Sequence, residues 1–375
     1  MRAQWREGNS FTLLPDSDQF LPALFKEMDN AETSLLLELY MFEDSELGER
    51  FIKAMENACQ RGVKVWLMID ACGSWNLSRK SRKRLIDAGV EFREFNPLTL
   101  RHLGKFISRD HRKLMIVDGK VAFTGGFGAS DFFLDSWFEV AVRIEGPCVN
   151  DWISLYRRVW QSRLSRGPGQ PSIDRSVLGA SAEKADEPAG EMDGRAIWGQ
   201  GYRFQQIRKS LQDQVDRAKN QVWICTPYFV PTRSLRRKMI AAARRGVDVR
   251  LLLPGKNHDH PGVYYAGQRY YTRLLKAGVR IMEFQPRFTH AKFSLCDDWC
   301  TVGSCNFDHW SLQWNLEANQ EIHHPEFAKE LTELFERNFA QSEEVIAEQW
   351  FKRSWWQRGR EYVYGHINGM MTRLR

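Results

Sequence analysis

Arg61-Gly-Val-Lys-Val-Trp-Leu-Met-Ile69 in the first half of the chain is matched by Arg245-Gly-Val-Asp-Val-Arg-Leu-Leu-Leu253 in the second half. Each stretch has a glycine that ends a helix, followed by a strand of β-branched and leucine residues. The stretches on either side also match in order and spacing, 35–42 with 222–230 and 85–92 with 274–281. The chain is therefore an internal repeat, and each unit is predicted to run strand, helix, strand, helix, strand.

This alternation predicts an α/β fold with a largely parallel central sheet in each unit. A length of 375 residues is sufficient for two such domains. The segment 166–201 is rich in Gly, Pro, Ser and Ala and has no apolar period, so it is predicted to be a linker. The predicted organisation is a first domain over 1–165, this linker, a second domain over 202–342, and an aromatic and basic C-terminal segment over 343–375.

Composition narrows the class of protein. The net charge of +7 favours anionic partners, and nucleic acid and acidic phospholipid are equally compatible with it. The longest apolar stretch, Ser34–Phe42, contains Glu38 and is too short to span a membrane, so it is predicted to be a strand. The N-terminus lacks the apolar region of a secretory signal, which favours a cytoplasmic protein. The basic run Ser78–Arg84 is predicted to be the solvated face of a helix.

The cysteines and two of the histidines could suggest a metal site. The seven cysteines are odd in number and scattered, which favours reduced core residues over a disulfide framework. Those nearest His290 lack the paired CxxC of a zinc site; they are Cys296, Cys300 and Cys305. His258 and His260 are predicted to be loop residues rather than ligands. We therefore predict neither a metal nor a cofactor.

One polar motif follows the last glycine-valine strand of each unit. It reads His111-Arg-Lys-Leu-Met-Ile-Val-Asp118 in the first unit and His290-Ala-Lys-Phe-Ser-Leu-Cys-Asp297 in the second. Residues i and i+2 of a strand point to the same face, so each lysine is predicted to lie beside its histidine and to stabilise negative charge there. Two chance matches at equivalent positions of a repeat would be rare, so the motif is predicted to be functional.

A small-residue segment and a carboxylate follow each motif. The segments are Gly125-Gly-Phe-Gly128 and Gly303-Ser-Cys-Asn306. Glu139 follows His111 at nearly the same distance as Glu317 follows His290. We predict that each carboxylate hydrogen-bonds the histidine of its own unit, which fixes the tautomer and leaves the other ring nitrogen free to attack.

These motifs resemble the phospholipase D superfamily, whose hallmark is HxKx4D followed by a GSxN-like segment. The segments 137–147 and 315–319 are similar to bacterial cardiolipin synthases, in particular the type without an N-terminal transmembrane hairpin. The resemblance covers nearly the whole chain outside the linker. It implies two homologous phospholipase D-like α/β/α sandwich domains with pseudo-twofold symmetry. It also implies one shared site made of His111, Lys113, Asp118, His290, Lys292 and Asp297, supported by Asn306, Ser304, Glu139 and Glu317.

The reaction that the resemblance implies needs no metal, because the two lysines stabilise the charge on the phosphorus oxygens. One histidine attacks phosphorus to give a phosphohistidine, and the other protonates the leaving alkoxide and then deprotonates the acceptor hydroxyl. We assign His111 as the nucleophile and His290 as the acid and base, although the symmetry of the repeat is compatible with the reverse. Gly128 stands where the family pattern has Asn, so a weakly active or inactive homologue is an alternative.

Three functions are compatible with this site. The resemblance favours transfer of a phosphatidyl group between phosphatidylglycerol molecules, with phospholipid hydrolysis and nucleic-acid phosphodiester cleavage as alternatives. Nucleic acid is the weaker prediction, because the small nucleases of the superfamily resemble single repeats that dimerise. The segment 254–271 also resembles the cardiolipin synthase loop over the site.

Aromatic residues alternate with cations near the C-terminus. The aromatic residues are Trp350, Phe351, Trp355, Trp356, Tyr362 and Tyr364. This pattern suits the headgroup region of an anionic membrane, and packing on the second domain or a single-stranded nucleic-acid channel are the alternatives. Together with the resemblance, it predicts a peripheral enzyme on the cytoplasmic side of the inner membrane, where it meets anionic phospholipid.

Overall fold

The computed structural model describes residues 3–97, 108–173, 187–200, 204–307 and 315–353. Its helices are α1 (Ser17–Asn30), α2 (Glu46–Gln60), α3 (Arg79–Asp87), α4 (Cys148–Trp160), α5 (Gln206–Arg217), α6 (Arg233–Arg244), α7 (Pro261–Gln268), α8 (Tyr271–Leu275), α9 (Pro325–Ala340) and α10 (Ala347–Phe351), with a 3-10 turn over Asp131–Phe133. Its strands are β1 (Arg6–Pro15), β2 (Ser34–Leu39), β3 (Lys64–Asp70), β4 (Glu91–Phe95), β5 (Leu114–Val117), β6 (Val121–Gly125), β7 (Trp137–Phe138), β8 (Val140–Glu145), β9 (Ser165–Arg166), β10 (Met192–Gln200), β11 (Phe204–Gln205), β12 (Gln221–Cys225), β13 (Asp248–Pro254), β14 (Arg280–Phe284), β15 (Phe288–Thr289), β16 (Phe293–Cys296), β17 (Trp299–Gly303), β18 (Leu316–His323) and β19 (Ser342–Glu344).

Each half contains a sheet, and the two sheets have equivalent strand orders. Its strand order is β9, β4, β3, β2, β5, β6, β8, β1 in the first half and β19, β14, β13, β12, β16, β17, β18, β10 in the second. The strands β2, β3 and β4 run parallel, as do β12, β13 and β14. The other neighbours in these two orders are antiparallel. Among them, β5 and β6, like β16 and β17, are joined by short turns, which can connect only antiparallel strands. The repeat is confirmed, but the prediction of largely parallel sheets is wrong outside the three-strand centres.

The predicted linker is partly a strand. Met192–Gln200 forms β10, which pairs with β18 along its whole length and corresponds to β1 of the first half. The same strand joins the two sheets, since β1 pairs with it at Arg6 and Gly194 and at Asn9 and Met192. The second structural unit therefore begins before residue 202.

A shared core lies between the two sheets. Alternate strand residues point to opposite faces, so Leu36 of β2 faces this shared core while Leu35 and Leu37 face an outer core beneath α1 and α2. The shared core includes α4 and α9, and the Trp152 indole donates a hydrogen bond of 2.8 Å to Gln320 of the other half. Each sheet thus has helices on both faces, which confirms the predicted α/β/α sandwiches. Within the described residues, no helix is both long and apolar enough to cross a bilayer.

Candidate active site

The backbone of each motif histidine is held by the opposite half. The His111 amide donates to the Leu316 carbonyl over 2.9 Å, and the His290 amide donates to the Phe138 carbonyl over 2.8 Å. Phe138 belongs to β7, which pairs with β15 across the interface between the halves. Leu316 and Phe138 each come directly before a predicted carboxylate. Each histidine therefore lies beside the carboxylate of the other half.

The histidine and glutamate pairs are crossed. His111 Nδ1 lies 3.1 Å from Glu317 Oε2, and His290 Nδ1 lies 2.6 Å from Glu139 Oε2. The prediction that each carboxylate serves its own unit is wrong, because the spacing along the chain fixes the strand but not the half that meets it. All four side chains are buried. When Nδ1 donates its proton to the carboxylate, Nε2 of the neutral ring carries the lone pair that a nucleophile needs.

The two motif lysines lie just before β5 and β16, not on these strands as predicted. Lys113 Nζ folds back to donate to the His111 carbonyl over 2.5 Å. Lys292 Nζ likewise donates to the His290 carbonyl and lies 3.5 Å from Glu139 Oε2. Each ammonium group is therefore beside its histidine, as expected, but a backbone carbonyl fixes it there.

Burial disfavours every charge in this site. Burial, followed by the nearby ammonium groups, lowers the pKa of both His111 and His290 well below the usual value, so both rings are neutral. Burial and the charge of Lys292 lower the pKa of Lys113 to about 7. Burial raises the pKa of Glu317 to about 8. Because the lysines repel each other, an anion bound between them would be stabilised, and a phosphodiester is such an anion.

Aromatic rings hold the imidazoles in place. Tyr40 meets the His111 ring edge to face, with 4.7 Å between the ring centroids. Trp137 stacks on His290 at 4.5 Å, and Phe133 meets the same ring at 5.8 Å. The sequence prediction missed these three residues. The only available signal was their position, with Tyr40 directly after a buried strand and Trp137 two residues before a site carboxylate.

The two small-residue segments are not equivalent. Ser304 Oγ donates to Glu317 Oε2 over 2.6 Å. The corresponding residue of the first half is Gly126, where a Cβ atom would lie 2.0 Å from Glu139 Oε2. The glutamate carboxylate therefore occupies the space that a serine would need. Asn306 is buried two residues after Ser304 in the same segment.

The departure at Gly128 has a steric explanation. A Cβ atom there would lie 2.8 Å from a ring carbon of Phe133 and 3.0 Å from the Met41 carbonyl oxygen. The Phe133 ring that contacts His290 thus takes the place of the asparagine side chain expected from the family pattern. The first half lacks this amide because the space is filled by an aromatic ring.

At the far ends of β5 and β16, the carboxylates of the two motif aspartates accept hydrogen bonds from backbone amides rather than bonding to the histidines. The Asp118 carboxylate accepts hydrogen bonds from the Thr33 hydroxyl and from the amides of Glu32, Thr33 and Ser34. The Asp297 carboxylate accepts the amides of Lys219, Asn220 and Gln221. Each lies at the far end of a strand of four residues that begins next to the motif lysine. They tie the β5 and β16 turns to the starts of β2 and β12, so the contacts observed for both aspartates are structural, and their predicted catalytic role stays a prediction.

The remaining predictions concern candidate metal ligands and the C-terminal aromatic residues. Within the described part of the chain, no group of three His, Cys, Asp or Glu side chains is arranged to hold a metal ion. His258 Nδ1 lies 3.0 Å from Asp259, in the loop before α7. Trp350 packs on Tyr271 with 5.1 Å between the ring centroids, so this aromatic residue lies on the second half. Trp355, Trp356, Tyr362 and Tyr364 lie outside the described residues.

Comparison with known proteins agrees with the site. The family model described as cardiolipin synthase, PLD-like domain, matches residues 24–160 and 211–339. The chain belongs to the cardiolipin synthase family. It is 33% identical to cardiolipin synthase B of Salmonella typhimurium, with 98% of this chain and 89% of that protein covered. It is 30% identical to the probable cardiolipin synthase YwiE of Bacillus subtilis, with 97% and 72% covered.

A solved structure supports the fold. Phosphatidylserine synthase of Haemophilus influenzae superposes with a TM-score of 0.72 at 13% identity, covering 97% of this chain and 93% of that one. At 13% identity, this likeness shows a shared architecture and nothing about function. The family membership and the fold together make the chain a phospholipase D-superfamily enzyme of the cardiolipin synthase-like phosphatidyltransferase class.

Proposed function

We propose that this protein transfers a phosphatidyl group from one phosphatidylglycerol molecule to a glycerol hydroxyl of a second, forming cardiolipin and releasing glycerol. The observation that carries the proposal is the pair of buried His-Glu contacts with a buried lysine beside each histidine. A neutral imidazole held by a carboxylate suits nucleophilic attack, and paired ammonium groups suit a phosphodiester anion. The names of the relatives support the choice of lipid.

In the first step, His111 Nε2 attacks phosphorus while the bond to the glycerol oxygen breaks. The neutral His290 must first acquire a proton to serve as the acid, and a bound phosphodiester anion favours its protonated form. His290 then gives that proton to the leaving alkoxide, so glycerol departs and a phosphatidyl-histidine remains. Lys113 and Lys292 stabilise the charge on the non-bridging oxygens.

In the second step, His290 takes the proton of a hydroxyl of the second phosphatidylglycerol. That oxygen attacks phosphorus, the P–N bond breaks, and cardiolipin leaves with His111 restored. The partner is then an anionic phospholipid surface, and we place the enzyme peripherally on the cytoplasmic side of the inner membrane.

The test is incubation of the purified protein with phosphatidylglycerol vesicles without divalent metal, with lipid products identified by mass spectrometry. Equal amounts of cardiolipin and glycerol are expected. Phosphatidic acid as the main product would point to hydrolysis, and cleavage of labelled DNA in a parallel reaction would point to a nuclease.

The histidine variants test the assigned roles. His111→Ala and His290→Ala are each expected to abolish turnover while the thermal unfolding midpoint stays close to that of the wild type. A phosphatidyl adduct recovered on residue 111 of wild-type protein that is quenched in alkali during turnover would support His111 as the nucleophile. Full activity in either variant would refute the shared site.

A further inference from the structure

Two large aromatic side chains are unusually exposed. Trp75 is 73% exposed and Phe132 is 46% exposed. Trp75 lies in the loop between β3 and α3, and Phe132 lies in the 3-10 turn before β7. Exposed apolar surface of this kind marks contact sites for other molecules when its members lie together.

Both exposed residues lie in loops that contact the aromatic residues around the site histidines. Ser74, next to Trp75, donates to the Tyr40 carbonyl over 3.0 Å, and the Tyr40 ring meets His111. Phe132 stacks on Trp137 with 4.9 Å between the ring centroids, and Trp137 stacks on His290. Phe132 is therefore separated from His290 by one aromatic ring, and Trp75 follows a residue that is hydrogen-bonded to the backbone of Tyr40.

One carboxylate ties the two loops together. Glu43 accepts a hydrogen bond of 2.9 Å from the Asn76 side chain and another of 2.6 Å from the Ser130 hydroxyl. Asn76 directly follows Trp75, and Ser130 is two residues before Phe132. The exposed rings thus belong to one surface, which we call the aromatic rim and define as Trp75 and Phe132.

Cations flank the aromatic rim on one side. Arg79 and Lys80, at the start of α3, are exposed and form no ion pair with any residue that the structure describes. Farther along the helix, Arg82 pairs with Glu94 and Arg84 pairs with Glu49. Arg79 and Lys80, rather than Arg82 and Arg84, are therefore available to an external anion.

We propose that the aromatic rim inserts into the interfacial region of an anionic phospholipid bilayer, with Arg79 and Lys80 on the headgroups. Aromatic rings favour the boundary between headgroups and acyl chains, and adjacent cations add electrostatic attraction. Insertion at this surface brings the two site imidazoles to the depth at which phosphodiesters lie. The inference rests on the proposed lipid substrate and adds the loops around the site to the C-terminal segment as a predicted membrane contact.

The test is sedimentation of the full chain with vesicles that contain phosphatidylglycerol, which requires no turnover. Trp75→Ser and Phe132→Ser are each expected to lower the partition coefficient about tenfold. Arg79→Gln with Lys80→Gln is expected to lower binding to these vesicles but not to vesicles of neutral lipid. Thermal unfolding verifies that each variant is folded.

Trp5→Ser is the matched control. Trp5 is 41% exposed and packs on His323, which lies six residues beyond Glu317 along β18 and hence roughly 20 Å from the site. Its substitution is expected to leave vesicle binding unchanged. Wild-type binding by Trp75→Ser, or an equal loss in Trp5→Ser, would overturn the proposal. A wild-type protein that binds vesicles but makes no cardiolipin would instead refute the proposed function alone.

Discussion

Ser304→Ala offers a quantitative test of how the site is held. The Ser304 hydroxyl donates to Glu317 Oε2 over 2.6 Å, and both side chains are buried. A hydrogen bond to a charged group contributes about 1.5–3 kcal/mol. At 1.36 kcal/mol per pKa unit, its loss raises the pKa of Glu317 by about one to two units. That pKa is already raised to about 8 by burial.

The shift has a defined sign. Glu317 must be deprotonated to accept the Nδ1 proton of His111, because a protonated carboxyl would donate to Nδ1 and leave the proton on Nε2. The productive form therefore lies above the pKa of Glu317, and activity is lost as the pH falls through it. We expect the acidic limb of the kcat/KM profile to move about one to two units higher in Ser304→Ala. Well below the limb, the rate falls about ten- to a hundredfold.

The assay is kcat/KM for phosphatidyl transfer from phosphatidylglycerol, measured across the pH range. Ser294→Ala is the control, because Ser294 is buried on β16 and its hydroxyl has no hydrogen-bond partner among the described residues. An unchanged acidic limb in Ser304→Ala would refute the role of Glu317 in fixing the His111 tautomer. An equal shift in Ser294→Ala would attribute the effect to repacking.

Three further substitutions separate structural from chemical roles. Asp118→Ala removes an acceptor of three amides, and we expect unfolding to become easier by about 2–4 kcal/mol with little change in kcat; a lower kcat at an unchanged unfolding midpoint would contradict this. Gly128→Asn forces a Cβ atom against Phe133 and is expected to cost about 1–3 kcal/mol in a denaturant titration, whereas a gain in kcat would show that the missing amide limits the rate. Asp259→Asn removes a negative charge that raises the pKa of His290, so an NMR titration of that ring is expected to shift to lower pH; an unmoved titration would rule out this influence.

The elements that the sequence predicted well have short-range causes. The strand at Ser34–Leu39 and the helix at Arg79–Asp87 follow from local apolar patterns, and both are present. The repeat located the histidines because equivalent positions in equivalent units must lie at equivalent places in the fold. Local sequence patterns therefore predict whether a segment is a helix or a strand, and the repeat predicts where the equivalent segment of the other half lies.

The elements that the sequence missed depend on contacts between distant segments. The Gly, Pro, Ser and Ala content of 166–201 predicted a linker, but pairing with β18 makes Met192–Gln200 a strand. The alternation argument placed the lysines on strands, whereas their ammonium groups are fixed by the carbonyl of the preceding histidine. No periodicity could show that Glu317 belongs to His111, because that depends on how the two halves pack.

The crossed pairing makes the two halves inseparable for chemistry. Each histidine receives both a backbone acceptor and a carboxylate from the opposite half, so one half alone lacks a complete His-Glu pair. We therefore expect a substitution that removes the histidine or the glutamate of either pair to disable the whole site. A substitution in a residue that only contacts a pair is expected to have a smaller effect. The differences between the halves are of the second kind: Ser304 supports one carboxylate, and Gly126 leaves room for the other. A symmetric fold can in this way place its two histidines in unequal surroundings, which suits two successive steps with different proton requirements.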